Sequence, residues 1–221
     1  MSPALQPILV HGKAGPNPAK IIMLLNELGL EIAYASTGFP DVKKPEYLAV
    51  NPNGRLPAIH DPNTNITIWE SGAIMDYLIE QYDTAHKFSF EKGTAEYYGA
   101  KQWLYFQVSG QGPYFGQYYW FKNLHPEKIE SAQKRYIDEA KRVTGVVEGH
   151  LAKQEKGADG PWLVGERYSY VDLAWLMWYQ VLNGVTSDEV FDLGQFPAVK
   201  EWLGKISARE NVKKVLDSLP H

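Results

Sequence analysis

The chain has 221 residues, enough for one large domain or two small ones, with 22 Lys and Arg against 26 Asp and Glu and a formal net charge of −4. That acidic balance argues against nucleic acid or an anionic membrane as the main partner. Cysteine is absent, which excludes disulfides, zinc–thiolate sites and cysteine nucleophiles, and no stretch approaches the roughly 18 to 20 apolar residues of a membrane span. The opening MSPALQPILVHGK lacks a positive lead and a long apolar core, so it does not read as a secretory signal, and a cytoplasmic protein is expected.

Ile8-Leu9-Val10 reads as a short strand ended by His11-Gly12. A helix is expected over about Pro18 to Leu28, with Asn17 at the N-cap, Pro18 at the first helical position and Gly29 just past the end. Glu31 to Ser36 reads as a second strand, and Asp41 to Asn51 as loop and short helix. The apolar runs Pro57-Ala58-Ile59 and Ile66-Thr67-Ile68-Trp69 flank a turn-rich interruption and read as a hairpin; Glu70-Ser71-Gly72 then opens an amphipathic helix to Tyr82. Such a helix start, carrying a carboxylate and a hydroxyl, can hold the carboxylate of a small, acidic, peptide-like ligand.

The order strand, helix, strand, irregular helix, hairpin, helix is that of a thioredoxin-like α/β domain, placed at residues 1–83. Residues 84–92 are polar and aperiodic and read as a linker. From 93 to 221 the pattern is helical, without a convincing strand, so the fold class is α/β followed by all-α. One helix is expected over Thr94 to Phe121, disturbed at Gly110, Gly112 and Pro113, and another over Pro126 to Gln154. Ser169 and Asp172 have capping-box spacing ahead of the nearly all-apolar Leu173 to Val185, which should lie at a domain centre. Two amphipathic helices, Pro197 to Ser207 and Glu210 to Leu219, close the chain.

An α/β domain with RLPAI and ESGAI, followed by a helical domain containing SYVDLA, resembles the cytosolic glutathione transferases from Ile8 to Leu219. HGKAGPNPAK, NPNGRLPAI, IWESGAI and WLYFQVSGQGPYFGQ look most like the branch of fungal enzymes related to the yeast nitrogen-catabolite regulator and the bacterial Nu class. That regulator carries an Asn-rich arm; here the domain begins almost at Met1, so no prion-like role is expected.

The resemblance implies that Pro57 is cis and presents the backbone of Leu56 to the cysteinyl part of glutathione. It implies that Glu70 pairs with the γ-glutamyl ammonium, and that Ser71 and the helix amides hold the adjoining carboxylate. A plain strand-starting Pro and a plain helix start are the ordinary alternatives for these residues. Arg55, Asn53, Lys43 and Lys44 could reach the glycyl carboxylate, although a solvated pair is the simpler reading of the two lysines. Family members usually place a Tyr, Ser or Cys at the first strand–helix junction, and HGKAGPNPAK has neither hydroxyl nor thiol. Asn17 and the helix opening remain to stabilise the thiolate, unless Asn17 merely caps its helix. A thiol near pKa 8.5 must fall by about 2 units, roughly 2.7 kcal/mol of preferential stabilisation. Arg135 matches an arginine that reaches the partner subunit's glutathione in bacterial relatives, or it is a solvent-facing charge. Tyr114, Phe115, Tyr118 and Tyr119 fall where the family forms its electrophile pocket, though one face of that helix belongs to the core. Asp172 is read as a cap rather than a catalyst.

The expected function is therefore attack of glutathione thiolate on a hydrophobic electrophile or on a glutathione-containing disulfide. Disulfide reduction or peroxidase activity with little conjugation, and a non-catalytic glutathione-binding regulator, are the alternatives. Glutathione would be a co-substrate with no permanent cofactor and no metal, and the family is homodimeric.

Overall fold

Eight consecutive residues of one helix, Pro18 to Leu25, are buried, so this helix meets protein on every side. It is α1 (Pro16–Glu27), and the first of two units is built around it. The computed structural model describes residues 4–154 and 159–219. Contacts divide the chain into 1–85 together with 209–221, and 86–208.

In the first unit, β1 (Ile8–His11) pairs in parallel with β2 (Ile32–Tyr34), and α1 makes the crossover that a parallel pair requires. A one-turn helix, α2 (Pro45–Leu48), leads to β3 (Ala58–Asp61), which runs antiparallel to β1 and to β4 (Ile66–Trp69). The strand order is β2-β1-β3-β4, with Val10 opposite Ile59 and Ile59 opposite Ile68. Ile8, Val10 and Ile59 are fully buried. The helix α3 (Ser71–Tyr82) covers the sheet with Ile74, Met75, Leu78 and Ile79. Its far end is tied to the hairpin: buried Asp61 accepts from Tyr77 (2.5 Å), from Tyr82 and from Asn63. Those donors hold the Asp61 carboxyl below its usual range despite burial, which acts in the opposite direction; burial, with the Asp61 bond, pushes the Tyr77 phenol up to about 12.

The last helix, Glu210–Ser218 (α9 in chain order), packs on α1, where Arg209 donates to the buried carboxylate of Glu27 at 2.5 Å. Periodicity alone grouped this helix with the helical domain. Its amphipathic face matches any apolar surface, and the Glu27–Arg209 pair, 182 residues apart, selects the first unit.

The second unit is helical among its described residues. The stretch 84–92, read as a linker, is packed here from His86 onward. Phe88 and Phe90 are buried, and Arg167 donates to the carbonyls of His86 and Lys87 (both 2.8 Å) and of Ser89. Phe88, Ser89 and Phe90 are all buried in a run of bends, which neither a helical nor a strand period detects.

The helix α4 (Ala95–Phe106) continues through a π-turn, Gln107–Gln111, into α5 (Gly112–Asn123). The expected interruption is thus a π-bulge rather than a break, and Gly110 allows it because a Cβ there would meet the Phe106 ring at 2.8 Å. Gly116 likewise lets the indole of Trp178 approach to where a Cβ would be 3.0 Å away. The long α6 (Glu130–Leu151) packs on α5, and α7 (Tyr170–Val185) forms the centre, with Leu173, Ala174, Trp175 and Leu176 fully buried. Asp172 accepts from Ser169 backbone and hydroxyl, Leu163 N–H and Trp202 indole, each at 2.9 Å, so it is the expected cap and also pins α8 (Pro197–Ser207). Burial pushes its carboxyl up to about 6 even though four donors stabilise the ionised form.

Candidate functional site

The junction after β1 turns on two glycines with positive φ, Gly12 at 99° and Gly15 at 100°. A Cβ on Gly12 would lie 3.1 Å from both Leu56 and Pro18 side-chain atoms, so this glycine lets the start of α1 close on the residue before Pro57. The Leu56–Pro57 bond is cis. The loop leading to it is fixed from behind: Tyr47 Oη and Asn51 Nδ2 both donate to the Arg55 carbonyl at 2.7 Å. Gly54, with φ 59°, would bring a Cβ within 2.6 Å of the Val42 carbonyl oxygen, so only glycine fits. Tyr47 and Asn51 were not singled out from sequence. The Asn-Pro turn at Asn51 was their available signal.

At the start of α3, Glu70 is the N-cap residue and holds φ at 71°, a region costing a non-glycine residue of order 1–3 kcal/mol. Its side chain is exposed, and Asn53 Nδ2 reaches it at 3.4 Å. Ser71 is the first helical residue and is buried. The N–H groups of Ser71, Gly72 and Ala73 head the helix as donors with no partner in the preceding turn. The structure therefore gathers Asn53, Glu70 and Ser71 at one helix opening, with Leu56 and Pro57 at the other edge of the loop that Asn53 begins. Arg55 is exposed. Lys44 pairs with Asp41 at 2.6 Å, and Lys43 donates to the Asn53 carbonyl at 3.1 Å.

Asn17 is not the N-cap. The helix begins at Pro16 and Gly15 is the cap, because Gly15 alone can take the positive φ that turns the chain in; Asn17 is the second helical residue and half-buried. Pro16 and Pro18 have no N–H, so of the first three helical residues Asn17 has the only backbone donor. One turn on, Lys20 is 1% exposed. Burial pushes its ammonium down to about 7, against the opposite pull of the Glu70 carboxylate. A lysine inside the apolar run AKIIMLL was the sequence signal for this residue. His11, bonded to the Thr37 hydroxyl (3.0 Å), is held low by burial and then by His60.

In the helical unit the aromatic set divides. Phe115 is buried edge-on against Tyr179, and Tyr118 is buried too, so these two belong to the core and not to an open pocket wall. Tyr114 and Tyr119 are half-buried. The core face of α5 runs through 115 and 118, an i, i+3 pair that amphipathic spacing could not orient. Arg135 is exposed on α6, without an ion pair among the described residues. A groove of about 660 Å³ lies between α4 and α6, walled by Trp103 and Phe106, floored by Gly145 and Gly149, and edged by Arg142 and Lys153. Among the described residues no group of three or more His, Asp or Glu is placed to hold a metal ion, and no helix is long and apolar enough to cross a membrane.

Comparison with known proteins places this arrangement among relatives. The glutathione S-transferase N-terminal domain model matches residues 9–86, and the C-terminal domain model residues 113–218. The chain is 54% identical over 218 residues to the glutathione S-transferase-like protein gedE of Aspergillus terreus, covering 97% of this chain and 96% of that one. Among solved structures it is similar to the glutathione transferase URE2P6 of Phanerochaete chrysosporium in complex with oxidized glutathione, at 43% identity and TM-score 0.88 over 98% of this chain and 97% of that one. Ure2p5 from the same organism, cocrystallized with 1-(S-glutathionyl)-2,4-dinitrobenzene, matches at 33% identity and TM-score 0.82 over 98% and 96%.

Proposed function

Because the chain belongs to the glutathione S-transferase family, we propose that it binds glutathione at the opening of α3 and activates the thiol at the opening of α1. The observation that carries this reading is the juxtaposition in the first unit: a cis Leu56–Pro57 bond, and Glu70 beside Ser71 at a helix start reached by Asn53. The Leu56 backbone pairs with the cysteinyl part of the tripeptide. Glu70 takes the γ-glutamyl ammonium, and Ser71 with the α3 amides takes its carboxylate. Arg55 and Asn53 lie on the side of the glycyl carboxylate.

The sulfur then faces Asn17. A charge-assisted hydrogen bond supplies roughly 1.5–3 kcal/mol and a helix end roughly 0.3–1, against the 2.7 kcal/mol or so needed to ionise the thiol at neutral pH. The thiol proton leaves to water, and the thiolate attacks. On an aryl halide the S–C bond forms and halide departs. On a mixed disulfide a new S–S bond forms with the glutathionyl sulfur and the other thiolate departs, which needs no protein cysteine. Conjugation is the reading preferred here, since a structural neighbour was cocrystallized with an S-aryl conjugate; a neighbour with oxidized glutathione keeps disulfide reduction as the second reading. Tyr114 and Tyr119 remain as candidates to face the electrophile.

The protein is proposed to work as a homodimer in the cytoplasm, detoxifying or processing small electrophiles, with Arg135 contributing across subunits. Support for the dimer comes from the apolar groove between α4 and α6 and from Tyr98, Tyr105 and Val146, large apolar side chains left exposed on those helices. Light scattering at a monomer mass would remove that part.

Isothermal titration with reduced glutathione tests the whole reading: saturable binding is expected, and none at millimolar concentration overturns it. Assays with a chlorinated nitrobenzene and with hydroxyethyl disulfide then separate the two reactions.

A further inference from the structure

We propose that Phe39 is an aromatic wall of the electrophile site supplied by the first unit, its ring stacking on the flat aryl group of the co-substrate beside the glutathione sulfur. The inference rests on the glutathione reading above and names the substrate class that the opening of α1 would accept.

Phe39 is 62% exposed. A single exposed apolar ring is ordinary, but the position of this one is not. Its backbone is held on both sides. Before it, the Thr37 hydroxyl is bonded to His11 Nδ1 at the end of β1 (3.0 Å). After it, Asp41 closes a single 3-10 turn, Phe39–Asp41: the Asp41 N–H donates to the Gly38 carbonyl (3.0 Å), and its carboxylate accepts from the Gly38 N–H (2.9 Å) and pairs with Lys44 (2.6 Å). The loop thus holds an apolar ring in water at a set place. A ligand that covers the ring removes apolar surface from water, and the anchored backbone has little freedom left to lose.

That place is the opening of α1. Gly15 caps the helix, and a Cβ there would lie 3.0 Å from Phe39 Cζ and 3.8 Å from Pro18 Cδ. Any side chain at Gly15 would push the ring off the junction. A Cβ on Gly12 would in turn lie 3.1 Å from side-chain atoms of both Pro18 and Leu56. Phe39, Pro18 and Leu56 therefore follow one another around the junction, with the two glycines between them. Leu56 is the residue whose backbone is proposed to hold the cysteinyl part of the tripeptide. Gly15 stands two residues before Asn17, which the sulfur is proposed to face. A group joined to that sulfur accordingly meets apolar side chains, and of these three only Phe39 offers an aromatic face. Tyr34, the next exposed ring in this unit, already carries Lys13 Nζ 5.0 Å from its centroid, whereas Phe39 has no ring or cation partner among the described residues. A flat, electron-poor ring, such as that of a nitro-activated aryl halide, suits the electron-rich face of a phenyl group. A small hydroxyalkyl disulfide has no such face to offer.

Titration calorimetry compares two ligands that share the tripeptide, 1-(S-glutathionyl)-2,4-dinitrobenzene and S-methylglutathione, on wild type, F39A and F39Y. The readout is the ratio of the two affinities, in which losses of folded protein or of tripeptide binding cancel. Wild type should bind the dinitrophenyl conjugate more tightly. Phe39→Ala should shrink that preference about three- to tenfold, the range of one aromatic contact, and change S-methylglutathione affinity by no more than about twofold. Phe39→Tyr keeps the flat face and should keep the preference. Where F39A folds poorly, the aliphatic F39L gives the same reading. A purely structural role predicts that F39A weakens both ligands alike. That outcome, an F39A preference equal to that of wild type, or F39Y falling together with F39A, overturns the proposal. Wild type that binds both ligands equally overturns this inference alone; wild type that binds neither overturns the glutathione reading with it.

Discussion

The openings of α1 and α3 lie in the same unit and face the same proposed ligand, yet they are made of opposite materials. At α3 the opening offers three successive backbone N–H groups, a serine hydroxyl, and a cap carboxylate held at positive φ. At α1 two prolines strip the backbone of donors, and what remains is one amide side chain, one N–H and a buried ammonium. A carboxylate has several lone pairs and suits a cluster of donors. A sulfur that must donate its electron pair to an electrophile suits few contacts, since every strong hydrogen bond to a thiolate also lowers its nucleophilicity. The contrast teaches that within one unit one helix start can be rich in backbone donors while another is stripped of them by its sequence.

A third opening, that of α7, serves as the reference in which a cap has no ligand. Asp172→Ala strands donors from Ser169, Leu163 and Trp202 inside the helical unit. It should cost about 3–5 kcal/mol in chemical denaturation, with glutathione affinity of the folded fraction unchanged. Glu70→Ala should weaken glutathione binding by roughly 1.5–3 kcal/mol, tenfold or more by titration calorimetry, with little loss of stability because it also removes an exposed side chain. Equal losses from E70A and N17A would erase the distinction between the two openings. Asn17→Ala should instead raise the bound thiol pKa by about one unit, roughly 1.4 kcal/mol, while affinity for S-methylglutathione stays near wild type.

Lys20→Met carries a pH signature of its own. The folded pKa near 7 lies below the unfolded value of 10.5, so the folded state releases its proton first and wild-type stability rises with pH between those values. The stability advantage of K20M should therefore be greatest below pH 7 and shrink as pH rises above it, which denaturation at three pH values would show. The smallest effect belongs to Pro18→Ala. It returns one N–H to the opening of α1, and should lower the thiol pKa by a few tenths of a unit, within the roughly 0.3–1 kcal/mol of a helix end.

What could be read in advance follows the range of the signal. The strand–helix–strand order, the hairpin and the Ser169–Asp172 box depend on neighbours a few residues apart, and each appears where its pattern put it. The start of α1 was misplaced by two residues because Gly15-Pro16 and Asn17-Pro18 are both good start signals. Only the φ of 100° at Gly15 separates them. Distant pairings left no local trace: Arg167 on the His86–Ser89 carbonyls and Arg209 on Glu27. The face of α5 that enters the core was equally hidden, since Tyr, Phe and Trp occur all round it.

Because residues from Arg209 onward pack with the first unit, the helical unit is an insertion between two parts of the other. The first unit thus cannot be completed until α9 has left the ribosome. Its most exposed point of failure is the opposite end of the sequence from the proposed ligand contacts. A nick that sheds α9 would uncover the face of α1 that α9 shields, on the same helix as Asn17 and Lys20, and leave Glu27 without Arg209. Loss of the tail should therefore register first as loss of thiol acidity, while the helical unit, whose core contains none of those residues, stays folded.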